Sequence, residues 1–443
     1  MHKIAVIADD LTGAGDTGAQ FSRAGLRTRV LFGNWTQEDT QGSAVIVANS
    51  DSRAMTLEAA YGAVFKATKD AASAGFLPVF KKLDSTLRGP VGRELDAMMD
   101  ASGCDVALLC PAFPANRRTV QEGVLLVDGV PVSGTAIAMD PVAPVKESRI
   151  AVLLAGQSLK PVREAGRSVL AAGEAAIHAE LGRLRSSGGG IMVCDAESDA
   201  DLELLARAGL SFGSGLILAG SAGLALPAAL LFGADDTSAS VHTAPSLRTG
   251  PGPKINRPVL VALGSVNPVS RAQAASLVAA GAVEVCLDPA EVLGEPVKAS
   301  ATLEYLGLSA GKILAAGGTP LLSILGSRSD IAAAQAAGAL RGMDHGAVAT
   351  VLATSLACAV CIAIDGGSPD TAVVATGGDV ARAILEAFGA GAVDILGEVS
   401  PGLPLGAVVG GSCPGRLMVT KAGGFGPPDA LERSVKMLRE FPE

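Results

Sequence analysis

The chain has 443 residues, 55 of them Gly, with 49% hydrophobic, 18% charged and only 3% aromatic content and a formal net charge of −9. Glycine at about one residue in eight, against roughly 7% in an average chain, shows no G-X-Y period, which excludes collagen, and the apolar content excludes a disordered chain. The acidic balance makes nucleic acid a poor partner, although a few local Arg and Lys side chains can still receive a small anion.

The start, MHKIAVIADD, reads as a strand ending in two acids and lacks the apolar stretch and cleavage site of a signal peptide. Further strands are predicted at 27–32, 43–49, 78–83, 106–112, 191–195 and 216–220, with amphipathic helices at 57–73 and 91–102. Residues 236–257 are polar and carry three Pro without apolar periodicity, so they read as a linker between domains at 1–235 and 258–443. In the second part, strands are predicted at 258–265, 282–287, 347–354 and 372–378, and helices at 268–280, 328–341 and 379–389. Alternation of this kind implies an α/β protein: two α/β domains with mainly parallel sheets.

The longest uncharged run, Ala347 to Ile364, reaches the length of a membrane span. Its Ala, Thr and Ser content and lack of a basic flank favour a buried core segment, so no membrane partner is expected. The seven Cys are scattered. Cys358 and Cys361 form a C-x-x-C inside that apolar run and read as small buried hydrophobes, and the four His make no metal motif. A reducing cytoplasmic setting follows as the default.

Ligands of parallel sheets gather at the carboxyl ends of strands. Gly13-Ala14-Gly15-Asp16-Thr17-Gly18 matches the dinucleotide pattern G-x-G-x-x-G. That reading is rejected. Asp9-Asp10-Leu11-Thr12 separates the strand from the first glycine, and two carboxylates there repel a diphosphate. A glycine-rich helix start capped by Thr12 or Asp16 is the plain alternative. The functional alternative is a polar site in which Asp9 or Asp10 accepts hydrogen bonds from hydroxyls. Arg53 follows the third strand, and Lys82-Leu83-Asp84-Ser85 follows the fourth. Arg53 and Lys82 are cations suited to a carboxylate; Asp10 and Asp84 can accept from a hydroxyl or take its proton. The combination suggests a small polyhydroxy acid. The rigid loop Pro111 to Thr119 can line the same site.

Ser265 and Gly377-Gly378-Asp379-Val380 follow strands given above, Gly423-Gly424 follows a further predicted strand, RLMVT at 416–420, and all three suit phosphate through free backbone N–H groups. No Walker A sequence is present. Together the loops favour a nucleotide.

The ordered set IADDLTGAGDTG, KKLDSTLRGPVGRE, CPAFPANRRT, GSAGLA, LGSVNPVSRAQ, ATGGDVARAI and TKAGGFG resembles the four-carbon acid sugar kinase family over nearly the whole chain. The resemblance implies an N-terminal acid-sugar domain, a C-terminal ATP domain and a ligand cleft between them. It places substrate contacts at Asp10, Arg53, Lys82, Leu83, Asp84 and Ser85. ATP contacts fall at Ser265, Gly377 to Val380, and Gly423 or its neighbour Gly424. Members phosphorylate the terminal hydroxyl of D-threonate, D-erythronate, L-threonate or 3-oxo-tetronate; the stretch at 140–148 looks more like the threonate and erythronate branch. Asp10 or Asp84 would take the hydroxyl proton. Mg²⁺ would come with ATP and needs no dedicated metal motif. A homo-oligomer stays open, because no sequence feature fixes the oligomeric state. An NAD-dependent oxidoreductase and a non-catalytic acid-sugar sensor are the rival classes.

Overall fold

The structure, a computed structural model, describes residues 3–140, 142–234 and 256–442. The chain divides into two units, Met1–Ala244 and Pro245–Glu443. All but the last two residues of the expected linker lie outside the described residues.

The first unit carries β1 (Ile4–Ala8), β2 (Thr28–Leu31), β3 (Val45–Asn49), β4 (Leu77–Lys82), β5 (Val106–Cys110), β6 (Arg118–Gln121), β7 (Val124–Val127), β8 (Val130–Pro131), β9 (Val162–Ala165), β10 (Gly190–Cys194) and β11 (Leu216–Gly220). Eight of them form a parallel sheet in the order β2-β3-β1-β4-β11-β5-β10-β9. Helices cover both faces of such a sheet, so its central strands are continuous apolar runs rather than alternating ones. Every residue of β1, β5 and β10 is buried. After β1 the chain builds β2 and β3 to one side and then places β4 on the other. The strand order therefore reverses beside β1, and a crevice forms at the carboxyl ends there. Strands β6 to β8 form a separate antiparallel sheet. Its turns run through Glu122-Gly123 and Asp128-Gly129, all four with positive φ, the backbone that two-residue hairpins need.

The second unit carries β12 (Val259–Leu263), β13 (Val283–Leu287), β14 (Pro320–Ile324), β15 (Ala372–Thr376), β16 (Ala392–Glu398), β17 (Pro404–Val409) and β18 (Leu417–Lys421), in the order β13-β14-β12-β15-β18-β17-β16. The first five in that order are parallel, and β17 and β16 are antiparallel additions.

One expected strand is corrected. Residues 347–354 lie inside the helix His345–Asp365. Asp344 caps it by accepting from Ala347 N at 2.7 Å, and an apolar run of this length rich in Ala exceeds any ordinary strand. Among the described residues it is the one helix long and apolar enough to cross a membrane, and half of its most apolar stretch is buried inside the protein. Gly307 and Gly311 of the helix Pro296–Ala315 let that buried side approach closely: a Cβ at Gly307 would lie 2.9 Å from the Ala359 carbonyl and 2.5 Å from Ile362 Cβ. Cys358 departs from the buried reading and is exposed on this helix, whereas Cys361 is half-buried. Burial pushes the Cys361 thiol up to about 11, which keeps it protonated and unsuited to redox or metal chemistry.

Candidate active site

β1 delivers Asp9 and Asp10 to the reversal point of the first unit. Asp10 caps the helix Leu11–Arg23: its Oδ1 accepts from Gly13 N at 2.8 Å, and its Oδ2 accepts from Thr12 Oγ1 at 2.5 Å. The cap is thus Asp10, not Thr12 or Asp16, because Asp10 alone has extended backbone just before the first turn. Gly13, Gly15 and Gly18 lie inside this helix, so no glycine turn precedes it to receive a pyrophosphate. Glycine at 13 has another cause. A Cβ there would sit 2.5 Å from Asp10 Oδ1 and 2.7 Å from Lys82 Nζ.

Arg53 joins the carboxylates. Its Nε donates to Asp9 Oδ2, its Nη1 to Asp10 Oδ2 and its Nη2 to Asp10 Oδ1, each at 2.7 Å. These contacts engage the whole guanidinium within the chain, and the expected role of Arg53 toward a substrate carboxylate stays an expectation. Its fork is already occupied by two acids, and it acts as a cross-link between strand ends. Burial opposes its charge, but Asp10, Asp9 and Asp84 together hold its pKa well above the ordinary value.

Successive residues of a strand face opposite sides. At the end of β4, Lys81 forms a fully buried pair with Glu94 (2.9 Å), and Ser52 donates to the other oxygen of Glu94. Lys82 faces Gly13 and donates to the Leu83 carbonyl at 2.8 Å. It makes no ion pair among the described residues. Beyond it the chain turns sharply. Leu87, buried, has φ 59°, a left-handed conformation that is costly for a bulky side chain. That turn lets Arg88 fold back on Asp84, with Nε–Oδ2 at 3.0 Å and Nη2–Oδ1 at 2.9 Å. Thr86 also donates to Asp84 Oδ2, and Arg88 reaches Asp140 at 3.3 Å. Leu83 is fully buried with its N–H donating to the Gly220 carbonyl at 2.9 Å, and Ser85 is buried.

The charges settle who is ionised. Burial pushes the Asp84 carboxyl up, but Arg88 and Arg53 hold it well below the usual carboxylate range. Burial likewise opposes Asp9, and Arg53, Lys82 and Lys81 outweigh it and lower its pKa. Asp9 Oδ1 is buried without a hydrogen-bond partner. Asp10 and Asp84, by contrast, each accept about the four hydrogen bonds a carboxylate can take.

The structure thus brings Asp10, Arg53, Lys82 and Asp84 together. Sequence reasoning gives Arg88 no role beyond a surface or capping charge and passes over Glu94 and Asp140, because their partners are contacts that folding alone creates.

In the second unit, the ends of β12, β15 and β18 meet. Gly264 N donates to the Thr376 carbonyl at 3.2 Å and Gly377 N to the Lys421 carbonyl at 2.9 Å. A Cβ at Gly423 would lie 2.5 Å from Ser265 Oγ, and one at Gly264 would lie 2.1 Å from Val380 Cγ2. The helix Gly378–Ala387 begins with no side-chain cap, and Gly377 has φ 95°. Its first N–H groups thus lack the usual side-chain acceptor and suit an anion. Ser265, Gly377, Asp379 and Val380 border a cavity of about 360 Å³ whose far wall is apolar, including Ile331, Val348 and Leu352. These glycine loops, closed to any Cβ at Gly264 and Gly423, fit a nucleotide. Lys421, fully buried, ties them: its Nζ donates to Ser270 Oγ at 2.9 Å, the Ala422 carbonyl at 2.9 Å and the Gly423 carbonyl at 3.1 Å. Gly424 lies in the same loop, 3.5 Å from Asn267 Nδ2 by its would-be Cβ.

Residues 4–228 match a family described as a sugar-binding N-terminal domain, and residues 260–431 one described as a nucleotide-binding C-terminal domain. A D-threonate kinase of Bordetella bronchiseptica is 36% identical, covering 99% of this chain and 98% of that protein. The chain belongs to the four-carbon acid sugar kinase family. Another relative within the family is a D-threonate kinase of Salmonella typhimurium, 34% identical over 99% of both chains. A D-erythronate kinase of Heliobacterium modesticaldum is 30% identical over 99% of this chain and 97% of its own. A solved Salmonella typhimurium structure described as a putative tRNA synthase has TM-score 0.78 at 24% identity, covering 98% of this chain and 99% of that one. At that identity the likeness speaks for the fold alone. Membership of the family agrees with acid-rich chemistry in the first unit and bare glycine loops in the second.

Proposed function

We propose that this protein is an ATP-dependent kinase that phosphorylates the C4 hydroxyl of a four-carbon sugar acid, D-threonate in the first instance. One observation carries the reading: the first unit gathers buried carboxylates and cations at one sheet edge, and the second gathers glycine loops, one of them opening an uncapped helix, beside an apolar cavity. The first chemistry suits a polyhydroxy anion, the second a nucleotide. The 34–36% likeness to D-threonate kinases supports D-threonate over its isomers.

In this reading the glycine loops and the start of helix Gly378–Ala387 hold the phosphates, and the apolar wall receives the base. The C4 oxygen attacks the γ-phosphorus while the bond to ADP breaks. Phosphoryl transfer depends mainly on positioning and charge neutralisation, so a strong base is not required. We assign the departing hydroxyl proton to Asp10, on which the substrate hydroxyl would take the place of the hydrogen bond from Thr12 Oγ1. Asp84, held ionised by Arg88 and Arg53, serves as a fixed negative charge that orients hydroxyls. Mg²⁺ would accompany ATP. Among the described residues no group of three or more His, Cys, Asp or Glu side chains can hold a metal, and no residue is assigned to it.

The test is ADP release measured with D-threonate, D-erythronate, L-threonate and 3-oxo-tetronate, with NMR analysis of the product. Turnover of D-threonate to its 4-phosphate is expected. ATP-independent binding of the acid would point to a sensor, and tight NAD binding without ATP use to an oxidoreductase.

A further inference from the structure

An anionic substrate needs a cation whose donors are not already consumed. Arg53 is taken by Asp9 and Asp10, and Arg88 by Asp84 and Asp140. Lys81 is taken by Glu94. Lys82 has no ion pair among the described residues, but it is a single ammonium that already donates to the Leu83 carbonyl, not a fork that can grip both oxygens of a carboxylate.

Arg118 is different. It opens β6, directly after the loop that follows β5, and its neighbour makes the contrast plain. Arg117, with φ 54°, turns outward, is 81% exposed and bridges Asp128 at 3.1 Å. Arg118 is only partly exposed, and its Nε is buried without an acceptor. Its Nη1 donates to the Asn116 carbonyl, and no carboxylate pairs with it among the described residues. The group is firmly placed: Arg118 and Phe113 exchange backbone hydrogen bonds of 2.8 and 3.1 Å. The same loop is fastened at Ala112, whose carbonyl accepts from Ser221 Oγ at 2.7 Å. β5 lies one strand beyond β11 from β4 in the parallel sheet, so the loop after β5 opens on the same carboxyl edge to which β4 delivers Asp84. Burial weakens the Arg118 charge and the Asp84 carboxylate partly restores it.

We propose that Arg118 receives the carboxylate of the sugar acid and so selects acids over neutral polyols. The planar fork suits a carboxylate bidentately, and its unspent N–H groups lack protein acceptors. The inference rests on the sugar-acid reading.

The test uses the full-length protein with Arg118→Gln, Arg118→Lys and Arg117→Gln. The readouts are KM for the acid, KM for ATP, the Ki of a neutral four-carbon polyol, and calorimetric binding of the acid. Loss of one charge-assisted pair should raise the acid KM of Arg118→Gln on the order of 30-fold or more, with the ATP KM and the polyol Ki unchanged. Arg118→Lys should recover part of the loss, and Arg117→Gln should match the wild type. An unchanged acid KM in Arg118→Gln overturns the assignment, as does an equal rise for acid and polyol, the mark of a structural role. If Arg118→Gln does not fold, Arg118→Lys carries the same test: a wild-type acid KM overturns the proposal. Wild-type protein that neither binds nor phosphorylates any four-carbon acid overturns the kinase reading and the carboxylate receptor together; wild-type turnover with an unaffected Arg118→Gln overturns Arg118 alone.

Discussion

Arg53 grips Asp10 through two contacts of 2.7 Å, one from each terminal nitrogen to each carboxylate oxygen. The pair fastens the loop after β3 to the loop after β1, and Nε holds Asp9 in addition. Arg53→Met would leave both acids partly or fully buried without their cation, and removing one partner of such a pair costs about 3–5 kcal/mol. Arg53→Lys keeps the charge but loses the fork, and should cost less. Urea unfolding of the three proteins checks the order; a Met variant as stable as wild type would refute the cross-link.

Two glycines should separate the two ligands. Gly13→Ala drives a Cβ between Asp10 Oδ1 and Lys82 Nζ, and Gly423→Ala drives one into Ser265 Oγ. The first should raise the KM for the sugar acid about tenfold or more and leave the ATP KM alone; the second should do the reverse. A tenfold change is only about 1.4 kcal/mol, well within what a displaced charged group costs. Steady-state kinetics with each substrate varied in turn decides the matter, and equal effects on both substrates would count against the division of ligands.

Asp84 gives a pH prediction. Its folded pKa is depressed below the unfolded value of 3.8, so its ionic contacts stabilise the fold above that value. The contribution is lost as pH falls through the lower folded pKa. Asp84→Asn should therefore be less stable than wild type by a constant margin at neutral pH, and the margin should shrink only below about pH 3.8. Thermal melts across pH 2.5–7 measure the gap. A gap that closes near pH 6 would mean that Asp84 titrates there and acts as an ordinary base.

How far the sequence could be read depends on whether a signal is local. β1, β3 and β11 are short apolar runs ended by turn residues, and the helices Leu57–Ser73 and Val91–Ser102 have their expected bounds. The edge strand β9, VREA, has no apolar run to announce it, because an edge carries charge. β14, PLLSI, is not distinguished by its sequence, because it opens on a Pro, a residue that demotes a run as a strand. The helix at His345–Asp365 was misread because Val and Thr in its first turns favour strands locally, while the run length and the Asp344 cap decide otherwise. At the site, Asp10, Arg53, Lys82 and Asp84 were legible because strand ends of one parallel sheet share an edge. Their partners were not. That Arg53 is spent on Asp9 and Asp10 while Arg118 is unspent depends on loop geometry: the left-handed turns at Leu87 and Arg117 aim Arg88 at Asp84 and Arg117 at solvent.

Lys421 ties the nucleotide loops through three oxygens and has no carboxylate partner, and burial lowers its pKa from 10.5 to about 8. Folding therefore costs this group stability wherever the unfolded chain binds a proton that the folded chain holds weakly. Stability linked to Lys421 is fully present above 10.5, declines as pH falls from there, and is lost as pH passes below about 8. Lys421→Met removes the dependence. Relative to that variant, wild-type stability should rise between pH 8 and 10.5, and the variant should show a raised ATP KM at pH 7, where the charged amine holds the Gly423 loop. Denaturant midpoints for both proteins at pH 7, 8, 9 and 10 give the slope. A wild-type minus variant difference that is flat across this range would show that Lys421 keeps its ordinary pKa, the loop oxygens making good the hydration lost on burial.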